Sequence, residues 1–175
     1  ALKDNEAGIR SNAIKLAELH LQDSPQLLKA LLSMQNDNDP KVRLQLLLTL
    51  GYDNSIESAI VRNKLLFQDI NDKWVQIAAL TASSSQTESI LKEVLNKYQS
   101  DVPAYSLLVQ RLATMTANGG DQNAIKMLLQ KSISNGSGKQ NQSQGAILEG
   151  LAIGMESLKS RSPESINGYK EDQNL

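Results

Sequence analysis

The chain has 175 residues, enough for one domain or for about five repeats of a helical solenoid. Eighteen basic residues against nineteen acidic ones leave a formal net charge of −1, so no broad positive field exists to gather nucleic-acid phosphates or anionic lipid. Cysteine is absent, which excludes disulfides, thiolate metal sites and covalently attached haem within these residues and is compatible with cytoplasm or periplasm. Aromatic residues make up only 3% of the chain, with Phe67 and Trp74 single examples of their kind, so Leu, Ile, Val and Ala must do the packing. The start, Ala1-Leu2-Lys3-Asp4, carries no signal-like apolar run, and no stretch reaches the roughly 18 apolar residues of a membrane span. It reads as a mature or excised piece with no direct membrane insertion.

Taken in order, the apolar residues fall at three- and four-residue steps, which predicts an all-α chain. A helix over 6–20 is followed by one opening at Ser24-Pro25 and carrying Leu27, Leu28, Leu31 and Leu32. Asp39 then offers a carboxylate to cap orphan amides, with Pro40 at the first helical position, and Val42, Leu46, Leu47 and Leu50 form the buried stripe. A turn near Gly51 leads to a helix over 55–68. Asp72 and Asp101 look like further caps, with helices over 72–83 and 86–98, and a fourth unit holds Leu107, Val109 and Leu112, then Ile125, Met127 and Leu128. The 134–139 stretch, rich in Ser and Gly, predicts a loop, and a last long helix covers 146–158. There Gly145, Gly150 and Gly154 let a neighbouring helix approach closely.

Positions 33 residues apart match in type, a spacing typical of helical repeats. Glu6, Asp39 and Asp72 form an acidic column; Ile9, Val42 and Val75 an apolar one; Arg10, Arg43 and Gln76 a third. Ile14, Leu47 and Leu80 align as well, as do Leu28, Val61 and Val94. The expected units lie near 5–36, 37–70, 71–99, 100–134 and 143–160, a single domain over 1–160 followed by a tail or linker at 161–175. Caps and ion pairs between successive turns account for the charged columns, with a charged ligand site as the alternative.

Chemistry has few candidates. His20 is the only histidine, so neither a paired-histidine metal site nor a Cys/His nucleophile can be assembled, and a solvent-facing or capping role is expected. Asp39, Asp69 and Asp72 do not spell out the alternating oxygens of a calcium loop. No catalytic, cofactor-binding or metal-binding residue is therefore assigned, and no cofactor is expected. Trp74 is expected to cover the core between repeats, with partner docking as the second reading.

The run Asp39-Pro40-Lys41-Val42-Arg43 with Leu46, Leu47, Leu50 and Gly51 resembles the helix-opening pattern of HEAT repeats. That resemblance implies an α-α superhelix, armadillo-like, of about four to five helix pairs. Gly8-Ile9-Arg10 with Ala13 and Leu16, the 39–51 segment, the 74–80 segment and the 148–154 segment together look like the HEAT part of large exported bacterial proteins of the membrane-bound dehydrogenase type. In that family a sugar-dehydrogenase-like propeller precedes the helical part and a c-type cytochrome domain follows it. The resemblance implies a non-enzymatic connector, periplasmic or otherwise exported, whose partners are flanking domains of the same polypeptide or another protein. A free-standing HEAT adaptor binding a protein or peptide is the alternative. HEAT-like DNA glycosylases are a third reading, with Asp72 beside Trp74 as the nearest pair, set against the missing basic surface.

Overall fold

A computed structural model describes residues 1–81, 84–133 and 142–160, with the backbone only at 84–88. The described residues form nine α-helices and no strand, so the chain is all-helical. They are α1 (Ala7–Ala17), α2 (Pro25–Leu32), α3 (Pro40–Thr49), α4 (Ile56–Gln68), α5 (Lys73–Leu80), α6 (Ser84–Asn96), α7 (Pro103–Asn118), α8 (Gln122–Ile133) and α9 (Gln144–Ser160). Contacts divide the chain into two compact units, Ala1–Ile90 and Leu91–Leu175, and the division falls inside α6.

In the first unit, side-chain caps set most helix starts. The Ser24 hydroxyl accepts from the Leu27 amide at 3.3 Å, with Pro25 opening α2. Asp39 accepts from the Lys41 and Val42 amides at 2.8 and 3.3 Å, with Pro40 opening α3. Ser55 and Asp72 do the same for α4 and α5. Each cap is worth about 1 kcal/mol, because it satisfies amides that have no partner within the helix. Glu6 occupies the capping position of α1 but its side chain makes no cap bond. The helix expected over 6–20 is shorter: α1 stops at Ala17, and its last turn tightens into a 3-10 turn over Glu18–His20. Similar 3-10 turns follow α2 and α3.

The helices of this unit fall into two rows. Helix α3 packs against both α1 and α5, while α4 packs against α2, α3 and α5. Ile14, Leu31, Val42, Leu46, Leu47, Leu50, Leu65 and Leu66 are sealed from solvent along this seam. Burying each such side chain contributes on the order of 1.5–3 kcal/mol, an upper value because unfolded chains already hide some apolar surface.

The second unit is built around α7, whose Leu108, Val109, Leu112, Ala113 and Ala117 are fully buried. Asp101 does not cap this helix: Pro103 fixes its first position, so Val102 stands at the cap with no side-chain acceptor. Asp121 caps α8 instead, accepting from the Asn123 and Ala124 amides. Ile125 and Leu128 face inward as expected, but Met127 is exposed, since neighbours in sequence cannot share one helix face. Helix α9 starts two residues earlier and ends two later than the 146–158 reading, and packs along α7, with α8 touching both. The 134–139 loop and the 161–175 tail lie outside the described residues.

The α7–α9 contact is close because α9 turns glycines toward α7. A Cβ on Gly150 would lie 2.3 Å from the Gln110 carbonyl oxygen, and one on Gly154 would lie 2.5 Å from the Ala117 Cβ and 2.6 Å from the Thr114 carbonyl oxygen. Thr114 stitches the junction, its hydroxyl lying 3.0 Å from the Gly150 carbonyl and 2.9 Å from the Gln110 carbonyl. At the start of α7, buried Tyr98 stacks edge-on against Tyr105, with centroids 6.1 Å apart, and its hydroxyl reaches Ser106 and the Gln142 carbonyl.

Candidate functional site

The charged columns assemble into a ladder inside the first unit. Arg10 extends from α1 and grips the Asp37 carboxylate with two nitrogens, Nε and Nη2 each donating at 2.8 Å to a different oxygen. Its third nitrogen, Nη1, turns the other way and donates to the carbonyls of Asp4 and Asn5 at 2.8 and 2.9 Å. Arg43 repeats this contact for contact from α3: Nε and Nη2 go to Asp69 at 2.8 and 2.9 Å, and Nη1 goes to the carbonyls of Asp37 and Asn38. Each guanidinium thus fastens the loop before its own helix and the loop before the next first-row helix. This needs arginine, since a lysine ammonium has no planar fork to divide between a carboxylate and two carbonyls.

At the third step the amide nitrogen of Gln76 donates to the Ile70 carbonyl at 2.8 Å, the place that the Asp37 carbonyl fills for Arg43. The pairing also differs from the expected columns. Arg10 and Arg43 bind Asp37 and Asp69, while Asp39 and Asp72 spend their carboxylates on caps. The column Asp4, Asp37, Asp69 was missed. Its spacing is 33 and then 32 residues, so a strict 33-residue comparison loses the third member. The Arg10 guanidinium holds the Asp37 carboxyl below the usual carboxylate range, against burial that works the other way. A further cross-link joins α3 to the turn after α1, where Gln45 and Thr49 both donate to Glu18 at 3.2 and 2.7 Å.

Arg62 is a different kind of arginine. It is 2% exposed in α4 and one of its nitrogens donates to the Ala78 and Ala79 carbonyls at the end of α5, but its Nε and Nη1 find no partner among the described residues. Burial pushes this guanidinium down to about 10. The carbonyl end of α5 supplies the partial negative charge that holds it. Gly51 makes the room: a Cβ there would lie 2.5 Å from Arg62 Nη1.

Trp74 does not cover the core. It is 58% exposed, at the first turn of α5, with Lys73 Nζ 5.1 Å from its ring centre. Val75, the next residue, takes the inward position instead. Ile77, one turn along from Trp74, is exposed as well. Asp72 is near Trp74 in sequence, but its carboxylate accepts the Trp74 amide at 2.7 Å and serves as the cap. His20 is exposed in the 3-10 turn after α1. A shallow depression of about 450 Å³, lined by Lys3, Asp4, Arg10, Asn36, Asp37 and Asn38 among others, lies over the first rung of the ladder. Among the described residues no cluster of three or more His, Cys, Asp or Glu side chains could hold a metal, and no helix is long and apolar enough to cross a membrane.

No protein family, curated protein sequence or solved structure matches the chain.

Proposed function

We propose that this chain is a non-enzymatic helical-repeat scaffold of HEAT type whose role is to hold a shaped surface for flanking domains or a protein partner. One observation carries the reading: the contacts of Arg10 recur at Arg43, atom for atom and one helix pair further on. A contact that both closes its own loop and seizes the next is a device for stacking units, and stacked units are stable only through their neighbours. The two-row packing of α1, α3 and α5 against α2 and α4 supports it.

Two settings for such a scaffold follow the family resemblance. In the first, the chain connects a dehydrogenase-like propeller to a cytochrome c domain in a larger exported protein, and any redox chemistry belongs to those neighbours. In the second it is a free-standing adaptor, a reading favoured by Trp74 and Ile77, which place exposed apolar surface on α5 beside Lys73. Reading the coding sequence on either side of this segment separates them. An upstream strand-rich propeller and a downstream Cys-x-x-Cys-His motif establish the connector; their absence removes it and leaves the adaptor. Under the adaptor reading, Trp74→Ala weakens partner capture at unchanged thermal stability, because an exposed ring contributes little to folding.

A further inference from the structure

We propose that the outer face of α1 is an open repeat junction, and that it takes an amphipathic helix carrying an arginine for Asp4 and an apolar residue for Leu16. The inference rests on the repeat reading above and adds the chemistry of what the first repeat receives.

The face is defined by its counterparts. On α3, Val42, Gln45 and Thr49 are spaced along one helix face, and Gln45 and Thr49 bond to Glu18 in the turn after α1; Val42 and Thr49 are fully buried. On α5 the first two places hold Val75 and Ala78, both buried. On α1 the same three places hold Ile9, Asn12 and Leu16, and here Ile9 is 46% and Leu16 67% exposed, with Asn12 also exposed. The side chains at places that pack between α1, α3 and α5 stand open at this edge.

An acceptor waits beside them. The Asp4 carboxylate takes the Glu6 amide at 3.0 Å, just as the Asp37 carboxylate takes the Asp39 amide at 3.0 Å. Asp37 then receives two nitrogens of Arg10, whereas no cationic side chain pairs with Asp4 among the described residues. The loop that presents Asp4 is already fixed by Arg10 Nη1 on the Asp4 and Asn5 carbonyls, so a guanidinium would meet a formed socket rather than have to order one. The charge of Asp4 selects the cation, and the shape of the neighbouring rungs selects arginine over lysine.

Leu16 narrows the choice further. Where Thr49 offers a hydroxyl to Glu18, Leu16 offers only methyl groups, so a segment identical to α1 and its turn would lose the shorter of the two bonds that hold Glu18 and keep only an amide, that of Asn12 in the Gln45 place, beside them. The partner segment therefore has an apolar residue at that point, in the turn after its helix and eight positions after its arginine. A second, unaltered copy of this chain fits the socket but not the apolar face.

The test uses the full chain. A duplicate of residues 4–36, carrying Glu18→Leu in the duplicate only, is inserted between Lys3 and Asp4, so that the added arginine stands as far from the original Asp4 as Arg10 stands from Asp37. The expected result is a rise in melting temperature of about 5 °C or more over the parent, as an added buried junction of a few kcal/mol would give. Asp4→Asn and Leu16→Glu at the original positions should each remove at least half of that gain, yet shift the parent chain by no more than about 1 °C, because Leu16 is exposed there and an asparagine oxygen at the part-exposed position 4 can still accept the Glu6 amide. A duplicate that keeps Glu18 should give a smaller gain. No gain, or a gain that survives both substitutions, overturns the proposal. A double-mutant cycle on Arg43 and Asp69 separates this from failure of the repeat reading. Coupling there with no gain from the duplicate sinks the open junction alone, and no coupling sinks the ladder on which both rest.

Discussion

In the first unit, α1 and α3 are joined through long side chains: Arg10 crosses to Asp37, and Glu18 receives Gln45 and Thr49. In the second, α7 and α9 are joined by the lack of side chains, with Gly150 and Gly154 set against the backbone of Gln110 and Thr114. The difference teaches what each junction tolerates. A bridge of long polar side chains can stretch, re-pair or admit water when one member is lost. Two helix backbones in contact leave no such slack, since interiors are close-packed and the colliding atoms are backbone or the Cβ atoms of Ala113 and Ala117, which cannot swing away.

The sharpest way to break the contrast is therefore to add a methyl group in the second unit. Gly150→Ala and Gly154→Ala should each cost about 1–3 kcal/mol, and the double variant should lose the α7–α9 junction, read as a fall in denaturant midpoint. If both alanines are accommodated at no cost, the close approach does not hold this unit together. Arg43→Met in the first unit comes next, at about 1–3 kcal/mol, because it leaves the Asp69 carboxylate and two loop carbonyls without their donor. Arg43→Lys should recover only a minor part of that loss, measured by the same unfolding curves.

Arg62 sharpens the comparison from within the first unit. It is buried more deeply than Arg43 yet faces only carbonyls, so Arg62→Met should stay within about 1 kcal/mol of the parent, the desolvation of the cation offsetting its two bonds. Its folded pKa lies below the unfolded one, so the cost of burying the charge is complete below about pH 10 and is relieved as pH rises through that value. The parent chain should gain stability relative to Arg62→Met on passing from pH 9 to pH 11, followed by chemical denaturation; a flat difference would show that the charge is not held in the interior. The smallest effect belongs to Asp37. Its carboxyl is depressed by Arg10, so its contribution is complete above the usual carboxylate pKa of about 4 and fades as pH falls below it. Asp37→Asn should flatten part of the acid limb of stability by lowering its alkaline end, where the carboxylate is charged, while the two chains converge at its acid end.

The sequence made the helices legible because their starts have a local cause. Asp39-Pro40 and Ser24-Pro25 specify helix starts within three residues, and the structure has caps at both. Asp101 misled for the same local reason, since a capping side chain only works at the position that Pro103 assigns to Val102. The partners of Arg10 and Arg43 were not legible. The matching acids stand 27 and 26 residues away, and no local pattern links a guanidinium to a loop that far along the chain. Trp74 failed in a different way: a large aromatic among aliphatic residues suggests a core, but Val75 takes the inward position and leaves the ring outside. Gly150 and Gly154 were readable as small residues at a helix contact, because glycine on a helix has few other uses.

The split grip of each ladder arginine also fixes how the first unit would bear force. Load applied along the row passes from the Asp37 and Asn38 carbonyls through one guanidinium into Asp69, so the rungs act as links in series. In such a series every link carries the whole load, so loss of either Arg10 or Arg43 parts the row however firmly the other holds.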